Sequence, residues 1–200
     1  RFLLTAPDLH SNIDALAAMR GTQSLIYDMA DHPELVHRAM DDARRAYRIV
    51  SDFFFEVADA DTWGSTRGAY GPGRFSIIAC DVAATLSPAL FREFVMPALE
   101  DEAAYLDHAM FHIDGPDMLK FLDDILAIDG VDIINWVPGV QNRNKRFAEW
   151  TDVFRRVQAA GKVMQITGVT SDEVKELTQT LRPELLYFSP TGLRNRSEAE

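Results

Sequence analysis

The stretch Ala109-Met110-Phe111-His112-Ile113-Asp114-Gly115-Pro116 decides the reading of this chain. An apolar run leads into alternating polar residues, a Gly-Pro break follows, and a helix-patterned segment comes next. His112 and Asp114 are two residues apart, so on a strand they share one face. An earlier run, Phe75-Ser76-Ile77-Ile78-Ala79, ends the same way at Cys80-Asp81. Side chains capable of binding metal, set where apolar strands meet loops, suggest a catalytic mouth rather than packing.

Working outward, the same unit recurs. Phe2 to Ala6 reads as a buried strand, and further strands are predicted over 75–80, 109–113, 131–137, 162–167 and 185–189. Each is followed by a helix or a helix start. Ile13, Leu16, Ala17 and Arg20 lie on a helix closed by Gly21, and residues 25–29 form a short helical piece. Asp31-His32-Pro33-Glu34 opens a long helix reaching about Ala58, with an acidic cap and an early proline. Its stripe of Leu35, Val36, Ala39, Met40, Ala43, Ala46, Tyr47 and Val50 has helical spacing. Asp59 to Gly73 is a loop by composition. Ser87-Pro88 caps another helix, which Pro97 is expected to kink. Further helices are expected near 116–127, 147–159 and 171–181.

Regular alternation with short apolar strands implies an α/β fold with a parallel sheet. No glycine-rich dinucleotide fingerprint follows the first strand. A TIM (β/α)8 barrel lacking roughly its first two β/α units fits this pattern best, with a doubly wound open sheet as the alternative. Either way the strand C-termini carry the site. The 200 residues make one domain, 1–200. The chain begins at Arg1 inside a strand-like run and stops at Glu200 in a helix opening, and we read it as the C-terminal two-thirds of a barrel.

Composition narrows the partners. A net charge of −11 argues against nucleic acid and anionic membrane surfaces and favours a small-molecule substrate. No apolar run reaches the roughly 18 residues of a membrane span. The single cysteine, Cys80, excludes an internal disulfide framework and fits a reducing, cytoplasmic setting.

The expected strand ends bring Asp8, His10, Cys80, Asp81, His112, Asp114, Asn135, Trp136, Gln165, Thr167 and Ser189 to one mouth. Cys80, His112 and Asp114 supply thiolate, imidazole and carboxylate, the usual zinc donors, and three such ligands leave a catalytic position open. The alternative is that His112 bonds to backbone, Asp114 caps the next helix and Cys80 fills core space. Asp81 either reaches substrate or merely serves a turn. Asp8 and His10 are candidates for substrate binding, Asp8 and Ser11 equally for helix capping. Trp136 is a candidate for stacking on a substrate ring or for packing, and Gln165 is a further candidate for substrate binding. Arg143, Asn144, Lys145 and Arg146 form the densest basic cluster, either an anion attractor or a solvated loop.

Longer motifs carry a resemblance. Cys80-Asp81 followed by Leu86-Ser87-Pro88-Ala89-Leu90-Phe91-Arg92-Glu93-Phe94-Val95-Met96-Pro97 is similar to the "CDF…ISPEMFREFVLPYL" stretch of the uroporphyrinogen decarboxylase and cobalamin-dependent methyltransferase superfamily. Tyr105-Leu106-Asp107-His108 with Phe111-His112-Ile113-Asp114-Gly115-Pro116 resembles its "YLDH…YHLDGP" segment. Asp132-Ile133-Ile134-Asn135-Trp136-Val137-Pro138-Gly139 resembles the next strand and loop. The similarity runs from about residue 20 onward.

The resemblance implies a (β/α)8 barrel and one of two chemistries. One is cofactor-free decarboxylation of uroporphyrinogen. The other is zinc-dependent methyl transfer between a corrinoid protein and a thiol or similar acceptor. In the methyltransferases a His-x-Cys pair and a later cysteine bind zinc. Here His112 matches the histidine, Asp114 stands in the first cysteine's place, and residues 189–193 hold no cysteine. The His-x-Asp pair points to the methyltransferase-like branch, with uroporphyrinogen decarboxylase as the alternative and a non-catalytic small-molecule-binding barrel as the second. His112, Asp114 and Cys80 are then the expected ligands of zinc or another divalent metal. Asp81 and Asp114 are the expected catalytic carboxylates, and a corrinoid protein is a candidate partner.

Overall fold

A computed structural model describes residues 7–142 and 144–191. The expected first strand at Phe2–Ala6, Arg143 of the basic cluster and the helix opening at Ser197–Glu200 lie outside the described residues.

Three helices come first: α1 (Ile13–Arg20), α2 (Thr22–Asp31) and α3 (Pro33–Ala58). Asn12 caps α1, its side chain accepting from the Asp14 amide. Gly21 ends α1 at φ 83°, a conformation L side chains avoid. The expected acidic cap of α3 is absent. Asp31 is consumed as the last residue of α2, so His32 alone separates the two helices, and Pro33 opens α3 in its first turn. The short α4 (Ala60–Trp63) follows.

The glycine-rich segment is more ordered than its composition suggests. Strands β1 (Ser65–Thr66) and β2 (Tyr70–Gly71) pair antiparallel across its tip. Ser65 Oγ ties this hairpin down, accepting from the Phe75 amide at 2.6 Å.

The main sheet contains β3 (Phe75–Ile78), then α5 (Pro88–Leu90) and α6 (Met96–Tyr105) before β4 (His108–Asp114). Helix α7 (Leu122–Leu126) leads to β5 (Val131–Val137), α8 (Thr151–Ala159) to β6 (Val163–Val169), and α9 (Ser171–Thr180) to β7 (Leu186–Pro190). Ser87 caps α5 as expected, its Oγ accepting from the Leu90 amide. Pro97 lies in the first turn of α6. A wide π-type turn at Phe91–Val95 immediately precedes α6, and it absorbs the proline's missing N–H and ring bulk.

The five strands β3–β7 are parallel and hydrogen-bonded in sequence order. This is an α/β fold built on successive β-α-β crossovers. The sheet is not closed among the described residues. Phe111, Ile113, Ile134, Trp136, Met164 and Ile166 alternate onto one face and are fully buried with Leu99, Phe121, Phe154 and Leu177 from the helices. The residues between them, His112, Asn135 and Gln165, therefore take the other face. No helix of the described residues is long and apolar enough to cross a membrane.

Candidate functional site

The strand registers line up His112 with Asn135 and Asn135 with Gln165. These pairings become hydrogen bonds. Asn135 Nδ2 donates to Gln165 Oε1 at 2.8 Å and reaches Thr167 Oγ1 at 3.4 Å. That leaves Asn135 Oδ1 as the acceptor for His112 Nδ1. An imidazole that donates from Nδ1 keeps a lone pair on Nε2, and His112 Nε2 has no hydrogen-bond partner among the described residues. Asn135 and Gln165 are buried, while His112 is half-buried and Asp114, two residues on, is exposed. The ladder thus crosses β4, β5 and β6 at one level, its solvent access greatest at His112.

Asp81 stands at the end of β3. Burial among its neighbours pushes its carboxyl above the ordinary aspartate value. The Asp14 and Asp114 charges push the same way, while His112 and His10 pull it down. Two carboxylates, Asp81 and Asp114, and the His112 imidazole therefore share one electrostatic environment. The turn that bears Asp81 is held from below by Asp14 of α1. Asp14 Oδ2 accepts from the Asp81 amide at 2.8 Å, and its Oδ1 accepts from the Val82 amide at 3.0 Å. Asn12 Nδ2 adds a bond to the Ala79 carbonyl at 2.7 Å.

Beyond the ladder, the ends of β4, β5 and β6 surround a pocket of about 420 Å³, lined by Asp114, Val137–Val140, Lys145, Phe147, Thr167 and Gly168. Gly115 (φ 81°) and Gly139 (φ 74°) turn the chain sharply beside Asp114. A Cβ on Gly139 would lie 3.4 Å from the Gly115 Cα and 4.0 Å from Asp114 Oδ1, ordinary contact distances, so the left-handed backbone rather than crowding calls for glycine here. The Lys145 ammonium sits 5.2 Å above the Trp150 ring.

Not every expected residue joins this mouth. Cys80 is 1% exposed and belongs to the helix-side core, with its Sγ 3.5 Å from Asp14 Oδ1. Burial and the Asp14 carboxylate push its thiol well above the ordinary cysteine value, the opposite of what a thiolate ligand needs. Among the described residues no three His, Cys, Asp or Glu side chains are gathered to hold a metal ion. The Cys80–His112–Asp114 set does not assemble, because Cys80 turns toward α1.

Of the two roles open to Trp136, the structure shows packing. Its register partners are Ile113 and Ile166, so it faces the helices, fully buried against Trp150 at 4.9 Å and Phe154 at 6.5 Å. It cannot stack on a ligand in the mouth. Gln165 is on the expected face but 4% exposed, supporting Asn135 rather than reaching substrate. Asp8 and His10 pair at 3.5 Å, and Asp8 is bridged at 2.5 Å by Arg67 from the hairpin tip. The hairpin therefore reaches the segment leading into α1.

Asp14 and Glu102 were not legible as site-supporting residues. Their partners lie 67 and 91 positions away, and an acid in a helix reads first as solvated surface. No protein-family model matches the sequence, and no curated protein matches it.

Proposed function

We propose that this chain is the larger part of a (β/α)8 barrel enzyme of the uroporphyrinogen decarboxylase and cobalamin-dependent methyltransferase superfamily. In this reading it transfers a methyl group to a thiol or hydroxyl acceptor at the C-terminal ends of β4–β6. Sequential strand order with helices on one face supports the barrel, since a doubly wound sheet reverses strand order at a switch point. The motifs around Cys80–Pro97 and His112–Pro116 support the family.

The observation that carries the activity is the His112–Asn135–Gln165 ladder, which leaves one basic lone pair beside Asp81 and Asp114. Among the described residues no three such donors are gathered for zinc or another divalent ion, fewer than a catalytic site uses. We therefore assign activation of the acceptor to His112. Its Nε2 takes the acceptor's proton, and the anionic sulfur or oxygen attacks the methyl carbon. The donor departs with the bonding electron pair. Asp81 and Asp114 stabilise the imidazolium so formed. A methyl-corrinoid, carried by a partner protein, is the donor the resemblance implies.

The described pocket lining holds one carboxylate and one ammonium, Asp114 and Lys145, and no arginine. Such a mouth suits a small acceptor better than a substrate with many carboxylates. The test is incubation of the protein with methylcobalamin and a panel of thiols and alcohols, read by mass spectrometry. A methylated acceptor formed only with protein present supports the reading. Carbon dioxide release from uroporphyrinogen, with no methylated product, overturns it.

A further inference from the structure

Glu102 of α6 is 1% exposed, an unusual place for a carboxyl. Its Oε1 accepts from the Ser11 amide at 2.5 Å, joining α6 to the segment before α1. Its Oε2 and the neighbouring Ser11 Oγ are buried without a hydrogen-bond partner. The next residues complete a relay. Asn12 holds the Ala79 carbonyl, and Asp14 holds the amides of Asp81 and Val82. Every link between Glu102 and the Asp81 turn is thus a hydrogen bond or a single step of the 11–14 backbone.

We infer that Glu102 is a positioning residue: through the Ser11 amide it fixes the corner at residues 11–14, and that corner fixes the turn bearing Asp81. The inference rests on the reading that Asp81 belongs to the site. A buried acid with an unsatisfied oxygen is held there at a cost. An apolar side chain would fill the same space without a bond to Ser11, so that bond is what the carboxyl adds.

The groups facing Glu102 make its charge state matter. Asp14 approaches from α1, Tyr47 from α3, Cys80 from the end of β3 and Asp101 from its own helix. All of them are acids. Burial, helped by Asp14 and Asp101, pushes the Glu102 carboxyl up to about 7, although Ser11 holds it down. The corner therefore changes its charge near neutral pH.

The experiment is an NMR titration of the isotope-labelled full chain, following the Glu102 carboxyl carbon and the amides of Ser11, Asp81 and Val82. In the wild type the carboxyl and all three amides should share a midpoint near neutrality. Glu102→Gln keeps an acceptor for Ser11, so its amides should sit near their low-pH positions and lose that transition. Glu102→Ala should displace the Asp81 and Val82 amides at every pH. If Glu102→Ala does not fold, the wild-type and Glu102→Gln titrations decide. Amides of Asp81 and Val82 that ignore the Glu102 titration, or that titrate identically in Glu102→Gln, overturn the inference. The result is independent of methyl transfer, so a failed activity assay leaves it standing.

Discussion

His112 Nδ1 is hydrogen-bonded to Asn135 Oδ1 across the parallel pair β4–β5, and Asn135 is in turn anchored to Gln165 on β6. Each bond follows from register, since the three residues are Cα partners in adjacent strands. Replacing Asn135 by alanine removes both bonds and lets the ring turn. Loss of orientation of this kind lowers rates by about a hundredfold. We expect kcat for methyl transfer to fall by about that factor with KM little changed, as steady-state kinetics of Asn135→Ala will show.

Trp136 fills the helix-side core against Trp150 and Phe154. Trp136→Ala is expected to destabilise the fold by about 3–5 kcal/mol, the range for large buried aromatics. Urea denaturation measures this. Trp136→Phe should retain acceptor affinity, because the ring does not line the pocket. A large loss of affinity in a folded Trp136→Phe would return this residue to the mouth.

Glu102 gives stability a distinctive pH dependence. Its carboxyl is raised in the folded state from 4.5 to about 7. Between those values the folded protein binds more protons than the unfolded chain, so this group's contribution is present in acid and is lost as pH rises through the window. The total is about 3 kcal/mol. Denaturation curves of wild type and Glu102→Gln across this range should converge or cross as pH falls, the variant gaining relative stability toward neutrality. Parallel curves would contradict the assignment.

Gly139 adopts φ 74° at the rim of the pocket. Gly139→Ala imposes left-handed backbone on an L residue, costing about 1–2 kcal/mol, and puts a methyl beside Gly115 and Asp114. Thermal denaturation should show the loss, and acceptor KM should rise because the strained backbone at 139 belongs to the pocket lining.

Much of this architecture is written in local pattern. The runs at 75–78, 108–114, 131–137, 163–169 and 186–190 are short and apolar, and all but the first are closed by glycine or proline, so local pattern places them. The hairpin at 65–71 escaped that reading because its strands are two residues long and depend on Ser65 bonding to Phe75. The site was legible to the level of strand ends. His112 and Asp114 share a face because of their spacing, and Asn135 and Gln165 meet them through register. Orientation beyond the strand was not legible. Cys80 lies past the last paired residue of β3, where alternation no longer fixes a side chain, and Asp14 from a distant helix decides its direction. Trp136 fell to the opposite face from Asn135 by the alternation that separates adjacent strand residues.

The central claim is that the His112 imidazole activates the acceptor. The most direct measurement is the rate of methylcobalamin demethylation by a saturating acceptor thiol, followed by absorbance, in wild type and His112→Ala side by side. Turnover is expected in the wild type, with a loss of about 10²–10⁴-fold in the variant, the range for removing a general base. Equal rates in the two proteins would contradict it.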